Sequence, residues 1–397
     1  MIEIKKNITI SDIDQLYEDL KTKEKLKRKI DLLLPKQLEN NDFGVLFSLI
    51  QFAATWVRSD YSGTLILPVN DIKEYEEYLF KEFVYPLVVL SWEKKILNRS
   101  RQDIRQELKA PSKKYFQHME YFTLPKNEST PIFCFDHDLS KRGYSRAFYE
   151  LEDILPEGAL DYTLYPAYQK LKNNSRETFK SALGDSVIVA FSAIIHELFN
   201  NTHEHARTDE KGFNLYPNIR AVYLKFHKRR IDSHIGNYYN KQPGLLEYFD
   251  SAFHLNKQNE VYLLEISVLD SGPGLVKRYK KTSSLEGISI EEEVEIIKEC
   301  LHKRNTSAVG ADKEIKGLGL DRVLQTIDGK GFIRIKSGRV DVFRNMKRHR
   351  YKAHKTPSDI ILYDWLENTP ESFKMHPEAT GTLISIIYPL DYRIHGK

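Results

Sequence analysis

The sequence predicts an α+β protein in two parts. An N-terminal domain, α/β or mainly helical, is expected over residues 1–165, and a C-terminal domain over 166–397. Three observations predict this. The chain has 397 residues, enough for two domains of ~100–200 residues each. Between 43 and 98, a helical stretch, the strand-like run TLILPV and a second helical stretch follow one another, the order of a small α/β unit. From residue 185 a helix with apolar residues three to four apart is followed by strand-like runs at 220–228 and 261–270 and by a third opening at Gly381-Thr382. The boundary falls in the region around Leu155-Pro156-Glu157-Gly158 and Lys172-Asn173-Asn174-Ser175.

Hydrophobic residues make up 41% and charged residues 29%, ordinary proportions for a globular chain. The longest apolar run, 83–92, is too short to cross a bilayer. The opening residues, MIEIKKNITISDID, lack the apolar core of a signal peptide. Cys134 and Cys300 form neither a disulfide framework nor a metal-type pair. A cytoplasmic protein without membrane attachment is the expectation. A formal charge of +4 is too small to imply nucleic acid by itself.

In chain order, residues 10–40 read as a charged helix, with KTKEKLKRK as a solvated face. Asn40-Asn41-Asp42 can cap a helix over 43–57, and Asn70-Asp71 a long helix to about 98, kinked or split at Pro86. Pro131-Ile-Phe-Cys-Phe135 reads as a strand. No internal repeat, low-complexity tract or Gly/Ser linker is present.

The most informative stretch is 185–206, DSVIVAFSAIIHELFNNTHEHA. Val187, Val189, Ala190, Ala193, Ile194 and Leu198 keep helical spacing. Glu197 and Asn201, four apart, and Glu204 and His205 a turn further on, form a polar stripe beside apolar surface. Such groups are costly there unless paired or at work, and a hydrogen-bonded surface helix would read the same. The strand-like 261–270 ends in Asp270-Ser271-Gly272-Pro273-Gly274. Lys316-Gly317-Leu318-Gly319-Leu320 leads into the helical DRVLQTI, and Gly381-Thr382 opens GTLISIIYPL.

These four pieces in this order resemble the ATP-binding domain of the GHKL superfamily, which includes gyrase-type topoisomerases, the heat-shock chaperone, histidine kinases and the mismatch-repair ATPase. The resemblance covers about residues 180–390. The ending His205-Ala206 is closest to anti-sigma-factor kinases and one histidine-kinase subgroup. The resemblance implies an α/β sandwich: a mixed, mostly antiparallel sheet covered by helices on one face, with an insertion at 231–260 and a lid at 275–316. It implies ATP and Mg2+ as ligands. By that resemblance Asn201 supplies an oxygen to magnesium, and Glu197 is the carboxylate that orients or deprotonates water. Asp270 accepts a hydrogen bond from the adenine amino group, Gly272 and Gly274 let backbone approach the base, and Thr382 supports Asp270. Gly317 and Gly319 bring backbone to the phosphates at a helix N-terminus, with Lys316 as a phosphate contact beside Lys313.

Magnesium's preference for oxygen ligands, and phosphate's for unpaired N–H groups, suit this set. Each member also has a plainer reading: Glu197 as an ion-pair partner, Asp270 as a turn residue, Thr382 as a strand residue. His196, His203 and His205 lack the H-E-x-x-H spacing of zinc, because position 200 is asparagine. Glu197 favours attack by water, and hence ATP hydrolysis with lid closure switching contact with a protein partner. The alternatives are a protein kinase of anti-sigma or histidine-kinase type, for which His137 between Asp136 and Asp138 is a phosphoacceptor candidate, and an ATP-binding module without chemistry. A homodimer is plausible by the resemblance. The basic stretch from Gly338 to Lys355 (GRVDVFRNMKRHRYKAHK), with Phe343 and Tyr351, suits nucleic acid or a solvated hairpin, the hairpin being favoured.

Overall fold

The computed structural model describes residues 1–39, 42–125, 128–137, 142–173, 183–230, 242–251, 253, 255–256, 258–302, 319–353 and 355–390. The chain is mixed α+β. Its first unit alternates strands and helices: β1 (Ile2–Glu3), α1 (Ile10–Lys25), β2 (Ile30–Leu33), α2 (Val45–Arg58), β3 (Ser62–Ile66), α3 (Ile72–Leu79), α4 (Val84–Leu90), β4 (Ile96–Leu97) and α5 (Arg105–Glu120). The strands form a parallel sheet in the order β1-β2-β3-β4, as helical crossovers require.

Three local expectations are corrected here. The helix expected over 10–40 stops at Lys25, because Lys27 adopts φ 51° and Leu26 is exposed. Ile30 and Leu32 then bury alternate side chains, a period of two that makes β2. Helix α2 is capped by no side chain of its own stretch. Asn40 and Asn41 lie outside the described residues, and Asp42 pairs with Arg229 at 3.5 Å. The N-cap is Gly44 at φ +69°, and its N–H donates to Glu265 Oε1 at 3.0 Å. The long helix expected over 70–98 is two helices and a strand. Asp71 and Glu74 form a capping box on α3. The break falls at 80–83, ahead of Pro86, which sits in the first turn of α4, where a missing N–H costs little.

The remaining elements are β5 (Ser129–Cys134), β6 (Tyr149–Glu150), β7 (Asp153–Ile154), α6 (Glu157–Thr163), α7 (Tyr165–Asn173), α8 (Asp185–His205), β8 (Arg220–Arg230), α9 (Pro243–Asp250), β9 (Glu260–Asp270), α10 (Leu275–Lys280), α11 (Ile290–Leu301), α12 (Gly319–Thr326), β10 (Phe332–Gly338), β11 (Val340–Asn345), β12 (Tyr363–Asp364) and β13 (Ala379–Pro389). A seven-stranded sheet runs β12-β11-β10-β13-β9-β8-β5. Its pairings are antiparallel throughout. The parallel pairings lie in the separate N-terminal sheet. Strand β5, from the N-terminal half of the chain, is one edge strand of the large sheet, opposite β12.

The two faces of this sheet feed two cores. On one face Val222, Leu224, Ile266, Val268, Ile384 and Ile386 pack with Ile188, Ile194, Ile195 and Leu198 of α8 and with residues of α11 and α12. On the other, Ala221, Tyr223, Leu263, Leu269 and Leu383 pack with Phe47, Ile50 and Ala54 of α2 and the rest of the first unit. The expectation of helices on one face only is therefore corrected: both faces are covered, and every residue of β9 is buried.

Of the stretch expected as an insertion, 231–241, 252, 254 and 257 lie outside the described residues, Tyr238 and Tyr239 among them. Its described part is packed: α9 starts on Pro243, and the buried Tyr248 donates from its hydroxyl to the Lys330 carbonyl at 2.8 Å. Of the expected lid, α10 and α11 are described. Residues 303–318, with Asn305, Thr306, Ser307, Gly310, Ala311 and Lys313, lie outside. No helix among the described residues is long and apolar enough to cross a membrane.

Candidate functional site

The site is built on one row of residues that crosses four strands. Antiparallel register places Arg220 opposite Asp270, Asp270 opposite Thr382, and Thr382 opposite Ser337. Directly paired residues point to the same face, here the face covered by α8. A polar row thus ends an otherwise aliphatic surface. The Thr382 and Ser337 hydroxyls are 3.0 Å apart, and Ser337 Oγ also accepts the Leu275 N–H at 2.9 Å.

Asp270 closes β9. Its Oδ1 accepts the Gly272 N–H at 2.8 Å, which sets the turn that follows. Burial pushes its carboxyl from 3.8 up to about 6, against the Gly272 and Thr382 backbone N–H groups and the charges of Arg58 and Arg220. At neutral pH it is a buried, mostly ionised acceptor. Thr382 supports it through the backbone N–H, while its hydroxyl is turned to Ser337. The neighbouring glycines are required by contact. A Cβ on Gly381 would fall 1.9 Å from the Asp270 carbonyl oxygen, and one on Gly272 would fall 2.6 Å from both Cα and Cβ of Ala206. Gly274, at φ +86°, starts α10.

The contact with Ala206 matters because Ala206 is the C-cap of α8. The turn after Asp270 is thereby seated on the end of the helix that carries Glu197 and Asn201. Both are half-buried. Neither the Glu197 carboxylate nor the Asn201 carboxamide makes a hydrogen bond among the described residues. Burial raises the Glu197 pKa, the like charges of Glu157 and Glu204 add to this, and Arg322 opposes it. Arg322, on α12, holds Glu157 of α6 by two hydrogen bonds of 2.6 and 2.8 Å. That pair ties the helix opened by Gly319 beside α8. Lys316 and Gly317 lie outside the described residues. In the first turn of α12 the buried Asp321 accepts hydrogen bonds from the Tyr351 hydroxyl and from Gln325.

The histidines of α8 go separate ways. His196 Nε2 meets the Leu155 carbonyl at 3.1 Å, and His203 Nδ1 the Tyr149 hydroxyl at 2.8 Å. Burial, with Arg220 and Arg207 adding, lowers His203 to about 4, so it is neutral at pH 7. Among the described residues no group of three or more His, Cys, Asp or Glu is placed to hold a metal. His137 follows strand β5, and its Nδ1 accepts the Asn218 N–H at 2.9 Å. Asp138 lies outside the described residues.

The polar frame behind the turn was not legible in advance. Buried Asn218 donates to Asp136 and to the Ala206 carbonyl, both at 3.1 Å, and accepts the Ser271 hydroxyl at 2.7 Å. Asp136 in turn grips Arg220 through two hydrogen bonds of 2.7 and 2.6 Å. The only signal of this frame was an arginine at the head of an apolar strand. The basic stretch 338–355 is largely spent on structure. Arg339 pairs with Glu293, Arg348 with Glu247 and Arg350 with Asp328; Arg344 donates to carbonyls, and Lys347 Nζ lies 3.6 Å from the Phe253 ring centre. No family model, curated protein or solved structure matches the chain.

Proposed function

We propose that the chain is an ATP-binding protein of GHKL type that hydrolyses ATP with magnesium. The observation that carries this reading is a juxtaposition. A buried carboxylate, Asp270, sits on a glycine turn pressed against the end of α8, and two polar side chains of that helix, Glu197 and Asn201, have no partner among the described residues. Both are only half-buried, so their polar atoms are open to a ligand. In this reading Asp270 accepts the adenine amino group. Asn201 fits magnesium through its open carboxamide oxygen, since magnesium is held by few protein oxygens together with phosphate and water. The metal supplies charge neutralisation at the phosphates. Glu197, whose pKa burial raises, takes a proton from water. Gly319 opens a helix whose N-terminal end suits phosphate oxygens, and lid closure on ATP switches contact with a protein partner.

Phosphate release from ATP by the full chain, with and without magnesium, tests this directly. Turnover that persists in wild type and disappears in Glu197→Ala supports the assignment. Turnover unchanged in Glu197→Ala removes Glu197 as the base. Label transferred from ATP to protein, with no free phosphate, moves the assignment to a kinase, and thermal stabilisation by ATP with neither outcome moves it to a non-catalytic binder.

A further inference from the structure

Helix α2 carries one polar stripe on an otherwise apolar surface. Gln51, Thr55 and Arg58 stand three to four residues apart in VLFSLIQFAATWVR and so share a face. All three reach the same end of the large sheet. Gln51 Nε2 donates to the Lys336 and Thr380 carbonyls, each at 3.3 Å. The Thr380 N–H donates to Thr55 Oγ1 at 2.9 Å. Arg58 donates to the Ser271 carbonyl and, through Nε at 3.2 Å and Nη2 at 2.7 Å, to the Pro217 carbonyl. Thr380 and Ser271 flank Gly381, Thr382 and Asp270.

Arg58 is the least expected of the three. Its guanidinium is held by neutral oxygens and makes no salt bridge among the described residues. Burial pulls its pKa down to about 10, and the charge that steadies it is that of Asp270. A desolvated cation with no carboxylate of its own is an expensive way to end a helix. What it accomplishes is to hold the carbonyl side of the turn after Asp270, from the sheet face opposite α8.

We infer that α2 is the arm by which the N-terminal unit holds the base-reading end of the nucleotide site, with Arg58 as the positioning residue for the Asp270 turn. This rests on Asp270 reading adenine, as proposed above. The coupling is reciprocal: a partner that shifts α2 shifts the turn, and a nucleotide seated at the turn fixes α2.

Calorimetric titration of the full chain with magnesium-ATP and magnesium-GTP tests it. Arg58→Met, checked for a cooperative melt, is expected to bind ATP roughly tenfold more weakly, the worth of one charge-assisted hydrogen bond, and to lose its preference for ATP over GTP. Arg58→Lys recovers part of both, which loss of packing alone would not explain. Thr55→Val weakens ATP in the same direction by a smaller factor. Arg58→Met with wild-type affinity and preference overturns the inference and leaves the nucleotide site standing. Wild type that binds no ATP overturns both. Should Arg58→Met fail to fold, Arg58→Lys and Thr55→Val decide, and wild-type preference in both overturns the inference.

Discussion

Gly272 stands so close to Ala206 that one added carbon would fall 2.6 Å from the alanine Cβ. That contact joins the turn after Asp270 to the end of the helix bearing Glu197 and Asn201. Gly272→Ala must push the turn off the helix. Overpacking of this kind costs about 1–3 kcal/mol. Urea unfolding is expected to show that loss, accompanied by weakened nucleotide binding. Gly272 does not have a left-handed φ, so the loss reads the contact with Ala206 and not backbone strain.

Asp270 should leave a mark on the pH dependence of stability. Its folded pKa of about 6 lies above the unfolded value of 3.8. Between these values the folded chain binds a proton that the unfolded chain has released, so stability is greatest at low pH and is lost as pH rises through 4 to 6. A shift of about 2.2 units at about 1.36 kcal/mol each gives a loss of up to about 3 kcal/mol. Asp270→Asn has no such proton. The stability of wild type relative to Asp270→Asn, followed by urea unfolding from pH 4 to 7, is expected to fall by that order.

The Asp136–Arg220 pair predicts an asymmetry between single and double substitutions. The Arg220 side chain has no exposed surface and that of Asp136 only 11%. Arg220→Met leaves the Asp136 carboxylate with only the longer pair to Arg207, at 3.7 Å, and is expected to cost about 3 kcal/mol. The double variant Asp136→Leu with Arg220→Met is expected to cost less than Arg220→Met alone. Equal losses in thermal melts would remove the ion pair as the cause.

Glu197 and Asn201 are expected to separate chemistry from binding. Glu197→Ala keeps ATP affinity and lowers turnover by about a hundredfold or more, the scale of a lost general base. Asn201→Ala loses magnesium-dependent affinity. Single-turnover rates and titrations with and without magnesium measure the two effects.

What was legible in the sequence is what local chemistry writes. The 185–206 helix, the strand ending at Asp270 and the strand after Gly381 appear where spacing and turn residues put them, because each is set by neighbours in the chain. What was not legible depends on distant partners. The N–H of Gly44, the N-cap of α2, is held by Glu265, 221 positions away. β2 was hidden because the lysine-rich run before it reads as a solvated helix. Arg58 reads as an ordinary last-turn cation, and only the stripe Gln51, Thr55, Arg58 in an apolar helix hinted at polar work. Glu157 and Arg322, which bind α12 beside α8, are 165 positions apart and carry no motif. The cover on the second face of the large sheet comes from α2, and one edge of that sheet is β5; both lie outside the stretch that carries the resemblance.

Titration of wild type, Asn201→Ala and Asp270→Asn with magnesium-ATP and magnesium-GTP decides whether Asp270 and Asn201 form a nucleotide site. Wild type is expected to bind ATP in preference to GTP, Asn201→Ala to lose the magnesium-dependent part of that affinity, and Asp270→Asn to lose the preference. ATP binding that is unaltered in both variants, or no binding by wild type, contradicts that site.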